Sequence, residues 1–135
     1  METLISRSLL DRVLAYAEAE PDREICGLLF GDLHQIKAIQ PVRNVHPDPS
    51  THFEADPSAL IAAYRAERAG GPKLVGHYHS HPSGHAFPSA KDAASAEPEL
   101  LWLIVAGKDA ALFQAIQGGE IAGAFRPVAM RVQPD

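Results

Sequence analysis

The chain has 135 residues, a hydrophobic fraction of 46% and a net charge of −5, which together predict one globular domain over residues 1–135 and argue against nucleic acid as the main partner. No apolar run approaches the roughly 20 residues of a membrane span, the N-terminus has no signal-peptide pattern, and the single cysteine excludes an intrachain disulfide. We therefore expect a cytoplasmic protein that binds neither nucleic acid nor membrane.

The start of the chain predicts a helix followed by a pair of strands. Between residues 6 and 20, apolar residues recur at three- and four-residue spacing, which is typical of an amphipathic helix. Residues 24–30 form an apolar stretch that predicts a strand, and residues 35–40 predict a return strand after a turn at Gly31-Asp32. Glu24 is an acid at the mouth of the first strand, and an isolated glutamate in such a place is most often a solvated strand end.

Residues 41–56 predict an irregular surface loop, because they are rich in Pro, Asn, Asp and His. Loops of this kind often carry function when a rigid scaffold positions them. A second helix is predicted to follow, with Asp56 as its N-cap and Pro57 at its first position. Its predicted apolar face consists of Leu60, Ile61 and Tyr64.

The rest of the chain is predicted to be mostly strand. The predicted strands cover residues 74–81, 100–106, 110–116, 121–125 and 128–132. Ser89 opens a short third helix, and Gly118-Gly119 predicts a hairpin turn between two of these strands. The order of helices and strands predicts an α/β (α+β) fold, in which helices pack on a mixed sheet.

Four of the seven histidines lie within residues 73–92. Side chains two positions apart on a strand point the same way, so His77, His79 and His81 share a face. Neighbours in this set lie roughly 6.5–7 Å apart at Cα, and the outer two about 13 Å apart. Two neighbouring imidazoles can therefore bind one metal ion, but all three cannot. The pair is either His77 with His79 or His79 with His81.

Ser89 and Asp92 have two interpretations. At the N-cap and third position of a helix, they form a variant of the capping box, which stabilises by about 1 kcal/mol and implies no chemistry. Alternatively, the short loop after His81 returns the Asp92 carboxylate over the end of the strand. Asp92 then completes a site of two histidines and one carboxylate, and it favours His81 over His77 as the second histidine.

A site of two histidines and one carboxylate leaves a fourth position open, which is typical of catalytic rather than structural zinc. Zinc in such a site lowers the pKa of a bound water to about 7 and polarises a carbonyl group. The site also needs a group that carries a proton, and Glu24 is a candidate.

The combined pattern resembles the signature of the JAMM (MPN-plus) metalloproteases. That signature is His-x-His-Pro, six further residues and Ser-x-x-Asp, with a glutamate well upstream. Here it is met by His79-Ser-His81-Pro82, by Ser89-Ala-Lys-Asp92 and by Glu24. The resemblance extends from the first helix to about Phe113. His77 is a departure, since the family more often has an apolar or aromatic residue there.

This resemblance implies a cytidine-deaminase-like fold and one Zn²⁺ per chain, held by His79, His81 and Asp92. Glu24 would be the general base, and Ser89 would hydrogen-bond the water or the oxyanion. The implied reaction is hydrolysis of an amide bond, with the C-terminal tail of a ubiquitin-like or sulfur carrier protein as substrate. The alternative functions are a non-catalytic MPN-type binding module and a zinc hydrolase of small molecules, although the cysteine ligands of zinc deaminases are missing.

The sequence says less about the roles of three side chains near the motif and about the oligomeric state of the protein. His77 is expected to be a core histidine or else a substrate contact. His85 is expected to be exposed, with a substrate contact as the alternative. Cys26 is expected to be a small buried thiol, with a side chain that points at the metal as the alternative, since it shares a strand face with Glu24. The oligomeric state is left open, a dimer included.

Overall fold

The computed structural model describes residues 1–82 and 84–135, in which seven strands form a mixed sheet. The elements are β1 (Glu2–Ser6), α1 (Arg7–Ala19), β2 (Cys26–Asp32), β3 (Gln35–Val42), α2 (Pro57–Arg68), β4 (Leu74–Ser80), α3 (Ala90–Ser95), β5 (Leu101–Ala106), β6 (Asp109–Gly119) and β7 (Gly123–Gln133). The strand order is β1-β3-β2-β4-β5-β6-β7, and the sheet closes into a barrel because β1 also pairs with β7. The β4–β5 pair at its centre is parallel.

Helix α1 packs on one face of the sheet. Its apolar stripe, represented by Leu10 and Val13, joins a core cluster with Ile5, Leu29 and Tyr78. Burying each large apolar side chain contributes on the order of 1.5–3 kcal/mol, so this cluster accounts for much of the stability of the fold. Tyr78 is fully buried there, on the opposite side of β4 from the histidines.

The histidine side of β4 faces α2, α3 and a second group of buried side chains. This group includes Trp102, Ile104, Phe113 and Phe125. Strand β5 contributes to both clusters and is buried on both faces, which confirms its prediction from a nearly continuous apolar run.

Two glycines let β2, β4 and β5 approach closely. A Cβ on Gly27 would lie 2.1 Å from the ring of Tyr78, and a Cβ on Gly76 would lie 2.0 Å from the Leu101 carbonyl oxygen. Glycine is therefore required at both positions. The close approach fixes β4, which carries His79, between its two neighbours.

The first strand was not predicted from the sequence. β1 is short and polar in composition, and one of its two buried side chains is Thr3, whose hydroxyl donates to the Leu33 carbonyl at 2.6 Å. The hydrophobicity pattern of the sequence therefore does not show the alternation of buried and exposed residues, because one of the buried residues is the polar threonine.

The structure corrects two predictions, one for the position of the glycine hairpin turn and one for the apolar face of the second helix. Gly118-Gly119 ends β6, and the chain reverses over residues 120–122, so β7 is one continuous strand instead of two. In α2, the predicted N-cap Asp56 is confirmed. However, Ile61 and Tyr64 of its predicted apolar face are 52% and 42% exposed, whereas Ala63 is buried.

None of the helices in the described residues is both long and apolar enough to cross a bilayer.

Candidate metal centre

Three donor atoms converge where β4 ends and α3 begins. His79 is the penultimate residue of β4, His81 follows the strand, and Asp92 lies in the first turn of α3. The Nε2 atoms of His79 and His81 are 3.0 Å apart. Asp92 Oδ2 lies 3.4 Å from the first and 3.2 Å from the second. The predicted pair is therefore His79 with His81, and the loop does return Asp92 to it.

These separations fit a tetrahedral metal site. Ligands bonded at about 2.0–2.1 Å to a tetrahedral zinc lie roughly 3.3–3.4 Å from one another. The three distances of 3.0, 3.2 and 3.4 Å are close to that spacing. His79 Nε2 and Asp92 are buried and His81 is 12% exposed on its side chain, so one side of the cluster stays open to a small molecule.

The capping box and the convergence on the histidines occur together. The Ser89 hydroxyl accepts a hydrogen bond from Asp92 N at 3.1 Å, and Asp92 Oδ2 accepts one from Ser89 N at 2.8 Å. The same Oδ2 faces both imidazoles. The two interpretations of this motif are thus compatible, because the box fixes the rotamer that aims the carboxylate at the histidines.

His81 is oriented by the loop that follows it. Its Nδ1 donates to the carbonyl of His85 at 2.9 Å. An imidazole that donates from Nδ1 presents a lone pair at Nε2, which is the form that binds metal. The His85 side chain is exposed, as predicted.

Glu24 is brought beside this cluster by the pairing of β2 with β4. Ile25 N donates to the Ser80 hydroxyl at 2.9 Å, and Ser80 N donates to the Ile25 carbonyl at 3.1 Å. These two bonds align the start of β2 with the end of β4. A Glu24 carboxylate oxygen lies within 4.8 Å of ring nitrogens of His79 and His81.

The Glu24 side chain is 5% exposed, so its interpretation as a solvated strand end is wrong. Burial raises the pKa of the carboxyl to about 7, against the opposing effect of His81. A carboxyl group with that pKa can both accept and release a proton near neutral pH.

Burial and hydrogen bonding set the charges of the other groups. Burial lowers the pKa of His79, which keeps the ring neutral. For His81, burial is the largest single effect and lowers the pKa, but the hydrogen bonds with Asp92 and the His85 carbonyl and the charges of Asp92 and Glu24 together outweigh it, so the net shift is upward. Burial alone would raise the pKa of Asp92, yet hydrogen bonds with both histidines hold it well below its usual range. Asp92 is therefore an anion that accepts from both rings, and a bound metal would take the place of the Nε2 hydrogens that face it.

Asn44 organises the site and was not singled out as functional from the sequence. Its Nδ2 donates to the carbonyls of Glu24 and His52, both at 2.9 Å. Its Oδ1 accepts from the backbone N–H of His46 at 3.1 Å and of Glu54 at 3.0 Å. The buried side chain thus uses all four of its hydrogen-bonding positions to tie the loop to the strand that carries Glu24. Asparagine is common in loops, so composition gave no signal of this role.

Aromatic rings close the inner side of the cluster. Phe53 stacks on His79, with ring centroids 4.3 Å apart and an interplanar angle of 19°. The ring of His77 packs edge-on against Trp102 at 4.2 Å and is only partly buried. His77 therefore lies in an aromatic contact beside the three donor atoms.

Cys26 is a small buried thiol, as predicted. It is 3% exposed, and its Sγ donates to the Val42 carbonyl at 3.7 Å. Burial raises the pKa of the thiol to about 12. At neutral pH the group is protonated and is not a nucleophile.

Residues 6–117 match the family model described as prokaryotic homologs of the JAB domain. The chain is 35% identical over 118 residues to a probable TtuB-protein conjugate cleaving protease of Thermus thermophilus, covering 87% of this chain and 79% of the relative. It is 36% identical over 100 residues to a desampylase of Haloferax volcanii, covering 72% of each chain.

Solved structures agree with this match. The solution structure of protein DSY2949 from Desulfitobacterium hafniense superposes with a TM-score of 0.80 at 26% identity, covering 100% of this chain and 94% of the other. A JAB1/MPN domain protein from Archaeoglobus fulgidus shares the fold, with a TM-score of 0.61 at 20% identity and 96% and 97% coverage.

The chain therefore belongs to the prokaryotic JAB family. This confirms the predicted family and mixed α/β fold. The prediction that the chain is a hydrolase of the peptidase class is also confirmed.

Proposed function

We propose that the protein is a zinc-dependent isopeptidase, which hydrolyses an amide bond at the C-terminal tail of a ubiquitin-like or sulfur carrier protein. The observation that carries this proposal is the convergence of His79, His81 and Asp92 beside the buried carboxyl of Glu24. Relatives named as a TtuB-conjugate cleaving protease and a desampylase support the choice of substrate class.

One zinc ion per chain is the metal that this donor set fits. Two imidazole nitrogens and one carboxylate oxygen are typical zinc ligands, and they leave one position of a tetrahedron open. When bound, zinc supplies a Lewis acid that polarises the substrate carbonyl and makes water more acidic. Asp92 and the two histidines would hold it, with the capping box of Ser89 keeping the carboxylate in place.

Glu24 is proposed to carry the proton. Its carboxylate takes a proton from the water that attacks the carbonyl carbon. It then gives that proton to the nitrogen that leaves as the C–N bond breaks. The raised pKa of about 7 suits both steps, since neither protonation state is strongly favoured at neutral pH.

Ser89 is proposed to stabilise the developing oxyanion. Its hydroxyl oxygen already accepts from Asp92 N, so the hydroxyl hydrogen remains available to donate to a substrate oxygen. The residue is exposed at the start of α3, where a substrate can reach it. A donor of this kind typically contributes about 10²–10³-fold to kcat.

A cleft of about 290 Å³ lies over these groups, between the 43–56 loop and α3. Its lining includes Glu24, His81, Gly84, Ser89 and Ala90. The small side chains favour an extended tail of small residues as the occupant, because such a tail can bring its backbone carbonyl close to the reacting groups. A cytoplasmic location is part of the proposal.

The test combines metal content with cleavage of a ubiquitin-like conjugate. The wild type is expected to contain one zinc per chain and to release the tail. Glu24→Gln is expected to keep zinc and lose about 10²–10⁴-fold in rate, as for removal of a general base. His79→Ala is expected to lose both zinc and activity, and Glu120→Gln, exposed in the turn between β6 and β7, serves as the control.

The proposal is wrong if the wild type holds no metal, or if Glu24→Gln cleaves the cognate conjugate at the wild-type rate. A stable complex of the wild type with an intact conjugate would instead favour the non-catalytic binding module.

A further inference from the structure

A second cavity, of about 330 Å³, lies on the histidine side of the sheet, beneath α2 and beyond the end of α3. We call it the aromatic cavity. Rings from four residues line it: Phe53, Tyr64, His77 and Trp102. Tyr64 is 42% exposed at its mouth, whereas Trp102 is 2% exposed in its floor. The cavity thus has a ring-lined interior that opens to solvent.

The charge at this cavity is negative. Among the described residues that line it, the charged ones are Glu54 and Glu97, both exposed. Burial, together with the neighbouring carboxylates of Glu97 and Glu67, raises the pKa of the Tyr64 phenol. Glu97 and Glu54 line the same cavity as the Tyr64 ring. The cavity therefore complements a positive charge.

Phe53 connects the aromatic cavity to the candidate metal centre. One face of its ring stacks on His79, and the same residue lines the cavity. Helix α3 spans the two sites, with Ser89 in the cleft and Glu97 just beyond its other end in the cavity wall. Its six residues correspond to about 9 Å of helix. One protein bound at the cleft can therefore reach both openings.

We propose that the aromatic cavity binds a basic side chain, lysine or arginine, of the protein that is being cleaved. The aromatic faces attract the cation through their quadrupoles, and the carboxylates of Glu54 and Glu97 attract it by charge. The identity of the partner as substrate rests on the proposed function, whereas the binding of a cationic side chain does not.

The single tryptophan of the chain provides a direct readout. The Trp102 indole N–H gives one signal in a ¹⁵N-correlated NMR spectrum. Acetyl-Gly-Lys-Gly-amide is expected to shift this signal in a saturable way. The matched peptide with norleucine, which has no charge, is expected to bind about two- to thirtyfold more weakly, because it lacks the attraction between a cation and the aromatic rings.

Two sets of variants separate charge from aromatic contact. The pair Glu54→Gln and Glu97→Gln is expected to weaken lysine-peptide binding about five- to tenfold, because exposed ion pairs contribute up to about 1 kcal/mol each. The control pair Glu18→Gln and Glu120→Gln changes net charge equally at remote sites and is expected to change nothing. Tyr64→Leu is expected to weaken binding, whereas Tyr64→Phe retains it.

The proposal that the cavity binds a basic side chain is overturned if the norleucine peptide binds as well as the lysine peptide. It is also overturned if the Glu54 and Glu97 variant binds the lysine peptide with unchanged affinity. Binding of n-butylammonium more tightly than the peptide would assign the site to a free organic cation and overturn the substrate-side role. These titrations need no turnover, so they stand even if the proposed hydrolysis fails.

A kinetic comparison tests the substrate-side role itself. With a conjugate whose target protein has exposed lysines, the Glu54 and Glu97 variant is expected to raise KM about fivefold at unchanged kcat. With the target lysines neutralised by acetylation, variant and wild type are expected to have the same KM. Equal KM values on both conjugates would overturn the role.

Discussion

Ser89 and Asp92 hold each other through two reciprocal hydrogen bonds of 2.8 and 3.1 Å at the start of α3. The Asp92 oxygen that accepts from Ser89 N also faces Nε2 of His79 and His81. The capping box, a common feature at the start of a helix, therefore also orients the Asp92 carboxylate toward the two imidazoles. Helix capping and the proposed metal binding are coupled through one side chain.

Ser89→Ala tests this coupling. Loss of the N-cap is expected to cost about 1 kcal/mol of unfolding free energy, and loss of the hydroxyl is expected to reduce kcat by about 10²–10³-fold. The control is Asp56→Ala, which removes the N-cap of α2 away from the site. It is expected to lose similar stability in denaturant titrations while retaining kcat. Similar kcat values for both variants would remove Ser89 from the chemistry.

Asn44→Asp is expected to disconnect Glu24 from the loop. Aspartate has the same shape but cannot donate to the carbonyls of Glu24 and His52, and it places a negative charge against them. Leaving such groups unsatisfied costs about 1–3 kcal/mol each. We expect lower thermal stability, a lower kcat and unchanged zinc content.

The control for Asn44 is Leu10→Ala in the α1 core, which is expected to cost about 2–5 kcal/mol through loss of buried surface and cavity formation. Measured well below its melting temperature, this variant is expected to keep the wild-type kcat. If the two variants lose activity in parallel with stability, Asn44 has only a structural role.

Glu24 is expected to make the stability of the metal-free protein depend on pH. The folded-state pKa of about 7 lies above the ordinary value of 4.5, so the fold favours the protonated carboxyl. The contribution of Glu24 to the free energy of unfolding is present below pH 4.5 and is lost as the pH rises through 7. At about 1.36 kcal/mol per pKa unit, the loss approaches about 3 kcal/mol.

Glu24→Gln removes this titration while keeping the shape of the side chain. Denaturant titrations of chelator-treated protein at pH 5 and pH 8 are expected to show that the variant gains stability relative to the wild type as pH rises. A difference between variant and wild type that stays constant with pH would contradict the raised pKa.

Cys26 is expected to be inert in the native protein. A buried thiol whose pKa is about 12 holds almost no thiolate at neutral pH. Labelling with a thiol-specific disulfide reagent is expected to be on the order of 100-fold slower in buffer than in denaturant. Fast labelling of the folded protein together with loss of activity would place the thiol in the site instead.

The candidate site was largely predictable because its geometry follows from short-range rules. The period of two on a strand places His79 and His81 on one face, and a loop of a few residues can return Asp92 only to the end of that strand. The position of Glu24 depends on the β2–β4 pairing, which at this end joins residues more than 50 positions apart. No local pattern specifies that pairing, so spacing alone leaves Glu24 a candidate, and only the family resemblance implies its role.

The features that the sequence did not reveal depend on tertiary contacts. β1 is stabilised by its neighbours β3 and β7 rather than by a hydrophobic pattern of its own. The hairpin reverses after Gly118-Gly119 because pairing with β7 extends β6 through both glycines. Asn44 has the composition of a loop residue, and its role follows only from its four hydrogen-bond partners.

Anomalous diffraction at the zinc edge, from crystals of the protein purified without a metal-binding tag, tests the central claim most directly. The expected result is one peak per chain, about 2.0–2.1 Å from Nε2 of His79, Nε2 of His81 and Oδ2 of Asp92. Its absence in the His79→Ala protein would support the assignment. A wild-type crystal from zinc-containing medium with no peak there, or with its peak elsewhere, would contradict the account.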